Sequence, residues 1–579
     1  MDKTSVYTDL TPPRLVPTSE LPSNGGLPSP ERDRRRKSAF NRLDLYRSVI
    51  NRFILLYKHF IGLLAGGLIA HVNALPPYRK KGIRSLGSRF FAFLLRPFVM
   101  RELRNQPFSV QLRRRLEMLG ATYIKLGQIM AIREDILPKS ITDELKSLLD
   151  QLPEVPFEVI QEIIESSLGR PIQELFQAIE LEPVGSASIA QTHRAVLRNG
   201  QPVILKVIKP GIREAILSDL KLLQILSHVL QIIIPQYQPK MIIDEFCNYT
   251  EKEIDLTYEA DHAEIFAANF ASEPDIVFPR IFREYTSRDV LCMEYFEGIK
   301  PNDPRIFNLS KAEREKIIDL GAHAIIKMLY EDGFFHADLH AGNLIVLPGP
   351  KVGFIDLGMV GRFDEKIKTK LLFYYHALVR GDIENSAKYL LSLARMGKGG
   401  DPASFRRAVA DLLRRFRLQA SYGNFSLAQL ILESLTLGAR FRVYFPMEMT
   451  LMVKALVTFE GVGLMLDPKL NIPEVSYRHI RNIYLKYYNP RTIFNQFVRG
   501  LPELLDVVIR SPQILSSALN HLEDSLDHPR NENPMAGLRS GMLAGACVVG
   551  GVLAYVQGAS PILWGALFVL GGVLFLFGK

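Results

Sequence analysis

The spacing of apolar residues changes several times along the chain and separates helical from extended regions. Residues 105–133 repeat apolar side chains at helical spacing, and most of the stretch 310–530 does the same. Between about 180 and 300 the pattern mixes strands with a helix, and short strands recur near 344–356. These patterns predict an α+β fold.

Two β-rich runs in the mixed region predict a β-hairpin. They are Thr192 to Leu197 and Val203 to Ile208, and Asn199-Gly200 between them favours a tight turn because this pair accepts positive φ. Lys206 lies in the second run. A lone lysine in a strand is usually a solvated edge residue, but this position also matches the lysine that binds the α- and β-phosphates in kinase-like folds.

A helix predicted over about residues 240–268 carries a carboxylate among its core positions. Glu253 falls on an apolar row at helical spacing. An ionised carboxylate in such a place costs free energy unless it is paired or bound to a metal, so Glu253 is a candidate functional residue. The row consists of Ile242, Phe246, Tyr249, Leu256, Ala260 and Ala263.

The stretch between Arg539 and Lys579 contains no charged residue. The residues 557–560 divide it into two apolar segments of about 17 residues, near the lower limit for crossing a bilayer. We predict a transmembrane hairpin with both ends on the cytoplasmic side, where the flanking basic residues favour them. The alternative is a buried hairpin in a soluble protein.

A second apolar run, residues 53–72, is interrupted by Lys58 and His59. The uncharged part that remains is shorter than a membrane span requires. We therefore predict a buried or membrane-surface helix for this run.

Composition adds a basic charge balance. The 579 residues carry a net charge of +10, with basic runs at 34–37, 79–81 and 113–115. A solvated face or contact with anionic lipid headgroups explains such runs, whereas nucleic acid is not favoured, because no aromatic residues alternate with them. The three cysteines lie far apart, which favours neither disulfides nor a cysteine-based zinc site.

The most specific local pattern is His336-Ala337-Asp338-Leu339-His340-Ala341-Gly342-Asn343, followed by Asp356-Leu357-Gly358. Phosphoryl transfer needs one carboxylate beside the attacking hydroxyl or water. It also needs an amide and a second carboxylate on the Mg²⁺ that bridges the phosphates. Asp338, Asn343 and Asp356 provide that set in the required order.

These motifs resemble those of the UbiB/ADCK family of atypical kinases over about residues 85–470. The run 125–128 is similar to the family's KxGQ signature, 253–255 to its ExD signature, and 336–343 to its H-A-D-x-H-x-G-N loop. The family's alanine-rich nucleotide loop is matched by Val184, Gly185, Ser186, Ala187, Ser188, Ile189, Ala190 and Gln191.

The resemblance implies a role for each matching residue. Asp338 would be the catalytic aspartate, and Asn343 and Asp356 would bind Mg²⁺. Lys206 would pair with Glu259 and hold the phosphates of ATP. The hinge beside adenine would consist of Met293 and Glu294.

The KxGQ run would form a helix that covers the nucleotide site. By helical phase alone, Lys125 and Gln128 lie opposite the buried stripe, where a solvated face is the ordinary expectation. Gly127 lies between them. Only the resemblance implies an active-site role, with Lys125 near Glu253 and Asp255.

The expected fold is protein-kinase-like and two-lobed, with a helical amino-terminal extension and a transmembrane helical hairpin. We predict six segments: a disordered basic tail over 1–38, the helical extension with the KxGQ motif over 39–145, the N-lobe over 146–298, the C-lobe over 299–480, a helical connector over 481–537 and the hairpin over 538–579.

Three functions are compatible with these residues. The first is a membrane-anchored ATPase or small-molecule kinase that uses ATP and Mg²⁺ and supports isoprenoid quinone synthesis. Its expected partners are membrane lipids, prenylated quinone intermediates and quinone-synthesis enzymes, and it would face the cytoplasm from the bacterial inner membrane. The others are a protein kinase and a nucleotide-sensing scaffold.

Two features of the sequence argue against the alternatives. No G-x-G-x-x-G precedes Lys206, Ala337 replaces the arginine of H-R-D, and no A-P-E follows Asp356, so the usual protein-substrate platform of a protein kinase is not apparent. Intact phosphate and metal positions argue against a scaffold without turnover.

Overall fold

The first of two units in the chain ends at Lys486, and the architecture below belongs to it. Beyond Tyr487 the predicted connector lies outside the described residues, as does the predicted hairpin except at two positions. The computed structural model describes residues 15–21, 42–74, 94–134, 136–148, 154–397, 399–420 and 426–487, with the single positions 547 and 570.

The elements before the main sheet are mostly helical. Gly120, with φ of +93°, breaks the helix predicted through 105–133 into two. In chain order the elements are β1 (Leu15–Pro17), α1 (Arg42–Ala74), α2 (Phe108–Leu119), α3 (Ala121–Ala131), α4 (Lys139–Leu145), α5 (Phe157–Leu168) and α6 (Ile172–Leu175).

The N-lobe is an antiparallel sheet with helices inserted before its last strand. Its strand order is β1-β2-β4-β5-β7, with β3 paired to β4. The ranges are β2 (Phe176–Glu180), β3 (Gly185–Ser186), β4 (Ala190–Leu197), β5 (Pro202–Ile208), α7 (Ile212–Ile233), α8 (Pro239–Glu253), α9 (Leu256–Asn269), β6 (Ile276–Val277) and β7 (Val290–Glu294).

The predicted β-hairpin is confirmed as β4 and β5. The two strands pair antiparallel, and Gly200 in the turn has φ of +84°. Along β5 the side chains alternate between two faces. Val203, Leu205 and Val207 are fully buried in a hydrophobic cluster with α5, which leaves Lys206 on the opposite face.

The helix predicted over 240–268 is in fact two helices, α8 and α9. They separate at Ile254 and Asp255, where Asp255 takes an extended backbone conformation and caps α9 by accepting a hydrogen bond from the Thr257 N–H at 3.1 Å. Glu253 therefore ends α8, and its side chain is 39% exposed rather than buried on an apolar row. The apolar spacing continues across the break, so periodicity alone could not reveal it.

Helix α1 is tied to the N-lobe by a buried carboxylate. Arg52 donates from Nε and Nη2 to the two carboxylate oxygens of Asp219 in α7, at 2.8 and 2.7 Å. A second bond from Arg52 Nη2 reaches the carbonyl oxygen of Leu119 at the end of α2. One arginine thus fastens three helices, and the fully buried Asp219 is paired.

The C-lobe is mainly helical, with three small β-sheets among the described residues. Strand β10 pairs with β9 and, in parallel, with β6. The ranges are α10 (Lys311–Ile326), β8 (Phe334–His336), β9 (Leu344–Leu347), β10 (Lys351–Phe354), β11 (Val360–Arg362), α11 (Glu365–Val379), α12 (Ile383–Ser392), β12 (Arg395–Met396), α13 (Pro402–Ala420), α14 (Leu427–Phe441), β13 (Val443–Tyr444), α15 (Met447–Leu466) and α16 (Ile472–Tyr487).

A group of buried phenylalanines joins the two lobes. The ring centroid of Phe266 in α9 lies 5.1 Å from Phe278 and 4.7 Å from Phe334 in β8, and Phe278 stacks on Phe354 in β10 at 5.4 Å. These contacts fix α9 against the two strands that lead into the predicted catalytic and metal-binding segments.

Three of the described helical stretches are long and apolar enough to cross a membrane, judged by length and composition alone: Arg52–Ala70, Ile212–Ile233 and Met447–Leu466. The first contains the run predicted to be a buried or membrane-surface helix. In it Leu56 and Ile69 are buried, whereas Phe53, Ile54 and Tyr57 are more than half exposed. More than half of Met447–Leu466, 56%, is buried inside the protein.

The predicted disordered tail differs from the structure at residues 15–21. Strand β1 adds to the edge of the sheet beside β2. Thr18 is buried and donates its hydroxyl hydrogen to the carbonyl oxygen of Phe176 at 2.7 Å, and Leu21 packs against the hydrophobic cluster. A strand this short is held by pairing with distant residues, so composition could not predict it.

Candidate active site

A cleft of about 940 Å³ lies between the sheet and the C-lobe. The loop before β4, strand β5, the helices α3, α8, α9 and α15, and the segment after β8 all contribute side chains to it. Most of the residues singled out in the sequence line this cleft. The exceptions are Gly127, Gln191 and Asp255.

Lys206 joins two carboxylates at the centre of the cleft. Its Nζ lies 3.0 and 2.8 Å from the two carboxylate oxygens of Glu259 and 2.8 Å from Oδ1 of Asp356. The alternation along β5 directs Lys206 into the cleft, while Glu259 extends from the first turn of α9. The strand, the helix and the end of β10 thus meet at one ammonium group.

The charges of this group are strongly coupled. Burial opposes the charge on Lys206, but Asp356 and Glu259 outweigh it and raise the pKa of the ammonium. Lys206 in turn lowers the pKa of Asp356 well below its ordinary value. Burial raises the pKa of Glu259 to about 7. The group therefore holds a charged Lys206–Asp356 pair beside a carboxyl group whose charged form is disfavoured by burial.

His336 fixes the backbone of the segment that carries Asp338. The ring is fully buried, and burial lowers the pKa of His336, which favours the neutral form. Its Nδ1 accepts a hydrogen bond from the Asp338 N–H at 3.1 Å, and its Nε2 donates to the carbonyl oxygen of Ile355 at 3.2 Å. The neutral ring therefore ties Asp338 to the residue before Asp356.

Asp338 presents its carboxylate to two nitrogen atoms. Lys454 Nζ lies 2.7 Å from Oδ1, and His340 Nε2 lies 4.0 Å from Oδ2. The side chain of Asp338 is 30% exposed and lines the cleft. The carboxylate of the predicted catalytic aspartate thus reaches the cleft, where a general base would have to lie.

Asn343 and Asp356 fit a Mg²⁺ ion. Asn343 Nδ2 donates to the carbonyl oxygen of Asp338 at 3.0 Å, which turns the amide oxygen away from that bond. Asp356 has φ of +55°, an uncommon conformation for a residue other than glycine, and its carboxylate is half-exposed in the cleft. The two would supply one amide and one carboxylate oxygen.

No cluster of three or more His, Cys, Asp or Glu side chains suited to a metal occurs in the part of the chain that the structure describes. Mg²⁺ suits such a sparse site because it commonly takes one or two carboxylates and completes its shell with phosphate oxygens and water. The residues present therefore fit a nucleotide-bound Mg²⁺ and do not form a dedicated protein cage.

The predicted nucleotide loop lies over the cleft, with one exception. A tight turn closes where the Ala187 N–H donates to the Ala190 carbonyl oxygen at 2.9 Å. Gln191 is fully buried and points to the other face of β4, where its side-chain amide exchanges hydrogen bonds of 2.9 and 3.0 Å with the backbone of Val155. Although Gln191 is predicted with the nucleotide loop, its side chain faces away from the cleft, because successive strand residues face opposite sides. The cleft is lined by Val184, Gly185, Ser186, Ala187, Ser188, Ile189 and Ala190.

Met293 and Glu294, predicted at the hinge, end β7 and line the cleft. The Glu294 N–H donates to the Arg280 carbonyl oxygen at 2.9 Å. Met293 pairs with Ile204 of β5 in the sheet. Met293 thus brings an apolar side chain to the predicted hinge, where the resemblance would place adenine.

Helix α3 closes one side of the cleft through an ion pair. Lys125 Nζ bonds to the Glu253 carboxylate at the end of α8, and Lys125 and Gln128 line the cleft. Lys125 is only 15% exposed, so its face of α3 is covered by α8 and is not solvated. The residues of α8 that cover this face are distant in sequence from α3. The helical periodicity of α3 alone therefore could not predict that Lys125 is shielded from solvent.

Asp255 lies apart from the cleft and caps α9. It accepts a hydrogen bond of 2.8 Å from Arg288 Nε in addition to its bonds from Thr257. Burial opposes ionisation, but the bonds from Thr257 and Arg288 outweigh it and lower the pKa of Asp255. The predicted contact between Asp255 and Lys125 is not found among the described residues. Asp255 instead orients the helix that carries Glu259.

Gly127 faces the core and lets α3 approach its neighbours. A Cβ atom at this position would lie 2.3 Å from Leu148 Cδ1 and 2.9 Å from Leu116 Cδ1. Both leucines are themselves buried and have little room to move. Glycine at this position therefore sets how closely Lys125 and Gln128 approach the cleft.

Gly127→Ala is expected to lower the free energy of unfolding by about 1–3 kcal/mol, because the added methyl group overpacks the core. Denaturant unfolding measures this change. Gly461→Ala is the matched control: Gly461 lies in α15, and a Cβ atom there would meet nothing within 4 Å. An equally stable Gly127→Ala protein would contradict the packing argument.

The sequence reasoning missed Lys454. This lysine lies in α15 and reaches the predicted catalytic aspartate. The signal that could have identified it is a single charged residue in the apolar stretch between Glu448 and Glu460. A charged partner is the ordinary reason for a cation in such a place.

Comparison with known proteins agrees with this architecture. Residues 147–390 match the ABC1 atypical kinase-like domain, and residues 412–471 match the UbiB helical domain. The second match contains all of α15, including Lys454.

Several curated proteins are similar over most of the chain. One, named "Probable protein kinase UbiB", from Marinobacter nauticus, is 30% identical over 75% of this chain and 80% of its own length. An uncharacterised protein of Synechocystis is 32% identical over 72% of this chain and 71% of its own. A protein named "ACTIVITY OF BC1 COMPLEX KINASE 8, chloroplastic", from Arabidopsis thaliana, is 31% identical over 65% and 54%.

The fold and cleft define an atypical kinase-like protein of α+β architecture. The chain belongs to the UbiB/ADCK family of atypical kinase-like proteins, as the motifs of its sequence predicted.

Proposed function

We propose that the protein is a membrane-associated atypical kinase or ATPase that uses Mg²⁺-ATP and supports isoprenoid quinone synthesis of the ubiquinone type. The observation that carries this proposal is the cleft in which Lys206 bridges Glu259 and Asp356 beside Asp338 and Asn343. Lys206 binds the α- and β-phosphates, and Asn343 and Asp356 hold Mg²⁺. When bound there, the ion would supply positive charge to the phosphate oxygens.

The acceptor side of the cleft favours a small ligand over a polypeptide. Helix α3 and the Lys125–Glu253 pair close one side of the cleft, and the family resemblance implies that this is the side on which a peptide would lie. A closed site also keeps bulk water from the phosphates, so basal hydrolysis is slow until a ligand shifts α3. The ligand of this proposal is a phenol-like head group presented from the bilayer.

The link to quinone synthesis rests on the family. Relatives carry the name UbiB, and prenylated quinone intermediates are the hydrophobic substrates that such a role implies. The predicted hairpin over 538–579 would anchor the chain in the bacterial inner membrane with the kinase-like domain on the cytoplasmic side. Quinone-synthesis enzymes and anionic lipids are the partners of this proposal.

The test uses purified protein in liposomes with radiolabelled ATP. Release of free phosphate is expected to rise several-fold when phenol-like prenylated compounds or anionic lipids are added, because these ligands shift α3. Neither the protein itself nor general protein substrates should be labelled appreciably. Lipid analysis of a deletion strain identifies the quinone.

An authentic protein kinase is the competing function, since relatives are named protein kinases. Efficient labelling of proteins by the unmodified chain, lost in Asp338→Asn, would establish that alternative. Nucleotide binding without phosphate release under any of these conditions would instead favour a nucleotide-sensing scaffold.

A further inference from the structure

The catalytic segment itself carries no lysine or arginine. Between His336 and Asn343 its only ionisable residue apart from Asp338 and His336 is His340. Phosphoryl transfer spreads negative charge over the oxygens of the migrating group, and cations placed around that group stabilise it. A site with no fixed cation on the acceptor side would lack part of this stabilisation.

Among the described residues, three other lysines line the cleft: Lys300, which is exposed, and two that are committed to carboxylates away from Asp338. Lys125 pairs with Glu253, and Lys206 pairs with Glu259 and Asp356 on the side of the α- and β-phosphates. Lys454 is different, because it lies 2.7 Å from Asp338. The helical domain thus supplies a fixed cation at the point where the catalytic segment has none.

The surroundings of Lys454 show that its position is built and not incidental. It lies in the middle of α15, where the adjacent residues Val453 and Ala455 are buried and no other charged residue occurs between Glu448 and Glu460. The side chain of Lys454 is 28% exposed and lines the cleft with Asp338 and Asn343.

Simple anchoring of the helix does not account for this lysine. Helix α15 already packs through buried apolar side chains, including Met449, Leu451 and Met452. An ion pair between two partly exposed side chains contributes only up to about 1 kcal/mol. The pair adds little to the packing of α15, but it places a cation at the predicted reacting centre.

We propose that Lys454 is a further catalytic residue, which contacts the transferred phosphoryl group from the acceptor side; the inference rests on the function proposed above. In the transfer, the acceptor hydroxyl or water loses its proton to Asp338 while its oxygen bonds to the γ-phosphorus. The bond from that phosphorus to the β–γ bridging oxygen breaks, and ADP departs with the electron pair. Lys454 holds the acceptor against Asp338 and neutralises the oxygens of the migrating group.

The first test is phosphate release by Lys454→Met. We expect the rate to fall about 100-fold or more, as for other groups that stabilise charge only during reaction. Binding of Mg²⁺-ADP should change less than about threefold, because Lys454 does not contact the α- and β-phosphates. Lys454→Arg keeps the positive charge and should restore part of the rate.

A matched control is Lys316→Met. Lys316 forms a 2.8 Å ion pair with Asp275 in the C-lobe, of similar length but outside the cleft. The Lys316→Met substitution should leave both the rate of phosphate release and the binding of Mg²⁺-ADP unchanged. A rate for Lys454→Met equal to that of the wild type would overturn the proposal. A higher rate would also overturn it, because it would show that the Lys454–Asp338 pair inhibits phosphate release.

The second test does not require turnover. Mg²⁺-ADP with aluminium fluoride imitates the migrating phosphoryl group, and it should raise the melting temperature of the wild type beyond the value with Mg²⁺-ADP alone. We expect Lys454→Met to lose that additional increase while keeping the increase due to Mg²⁺-ADP. If Lys454→Met retains both, Lys454 does not contact the migrating group and the proposal fails.

The two proposals fail in different ways. A wild type that releases no phosphate but shows the additional aluminium fluoride effect, lost in Lys454→Met, contradicts the proposed enzymatic function and supports the contact of Lys454. A wild type that releases phosphate normally together with an equally active Lys454→Met supports the enzyme and contradicts the role of Lys454.

Discussion

Asp356→Asn should weaken Mg²⁺-dependent nucleotide binding by about 100-fold or more, because a neutral amide replaces the charged oxygen ligand of a cation that prefers anionic oxygens. The substitution is also mild for the backbone. Asparagine, like aspartate, tolerates the φ of +55° found at this position. The expected loss therefore reports on the carboxylate and not on strain.

Thermal shift with ATP, in the presence of Mg²⁺ or of a chelator, measures this loss. Wild type should gain stability from the nucleotide only with Mg²⁺, and Asp356→Asn should gain almost none. Asp275→Asn provides the control, since Asp275 also pairs with a lysine at 2.8 Å but lies outside the cleft. Equal binding by wild type and Asp356→Asn would remove the metal assignment.

Local spacing was enough to predict the centre of the candidate site. Asp338, Asn343 and Asp356 are close in sequence, and the residues between them form a short segment and a strand pair that leave little freedom in how they meet. Lys206 was placed on the second strand of the hairpin, which the structure confirms as β5, and its role was taken from the match to kinase-like folds. Motifs of this kind are predictable because few conformations satisfy them.

Two residues show the limits of motif matching. Gln191 belongs to the matched nucleotide loop, yet the alternation along β4 turns its side chain toward Val155. Asp255 belongs to the ExD run, yet a helix break makes it a cap. In both cases the run was identified correctly, but the direction of a side chain depends on the local backbone, which the motif alone does not give.

Long-range contacts were beyond the reach of the sequence. Strand β1 is defined by its pairing with β2, which is distant in sequence, and Lys454 is likewise distant in sequence from Asp338. The ion pair of Lys125 likewise depends on how α3 packs on α8. Each of these features is determined by tertiary packing, which overrides local preference.

Asp338→Asn should reduce phosphate release by about 10²–10⁴-fold, the range expected when a general base is removed. Nucleotide binding should change little. Asn343 bonds to the backbone carbonyl oxygen of Asp338, and His336 accepts from its backbone N–H, so both contacts survive the substitution. Lys206 and Asp356 remain as they were. Phosphate release and thermal shift with Mg²⁺-ATP separate the two effects.

The double variant Asp338→Asn/Lys454→Met sharpens this prediction. We consider the case in which the base and the cation act on the same transferred group. The Lys454→Met substitution should then lower the rate of phosphate release far less in the Asp338→Asn variant than in the wild type, because the effects of residues that act together are not additive. Independent contributions would instead multiply. Should Asp338→Asn keep the wild-type rate, the general base lies elsewhere in the cleft, and the aspartate's role would be limited to positioning Lys454.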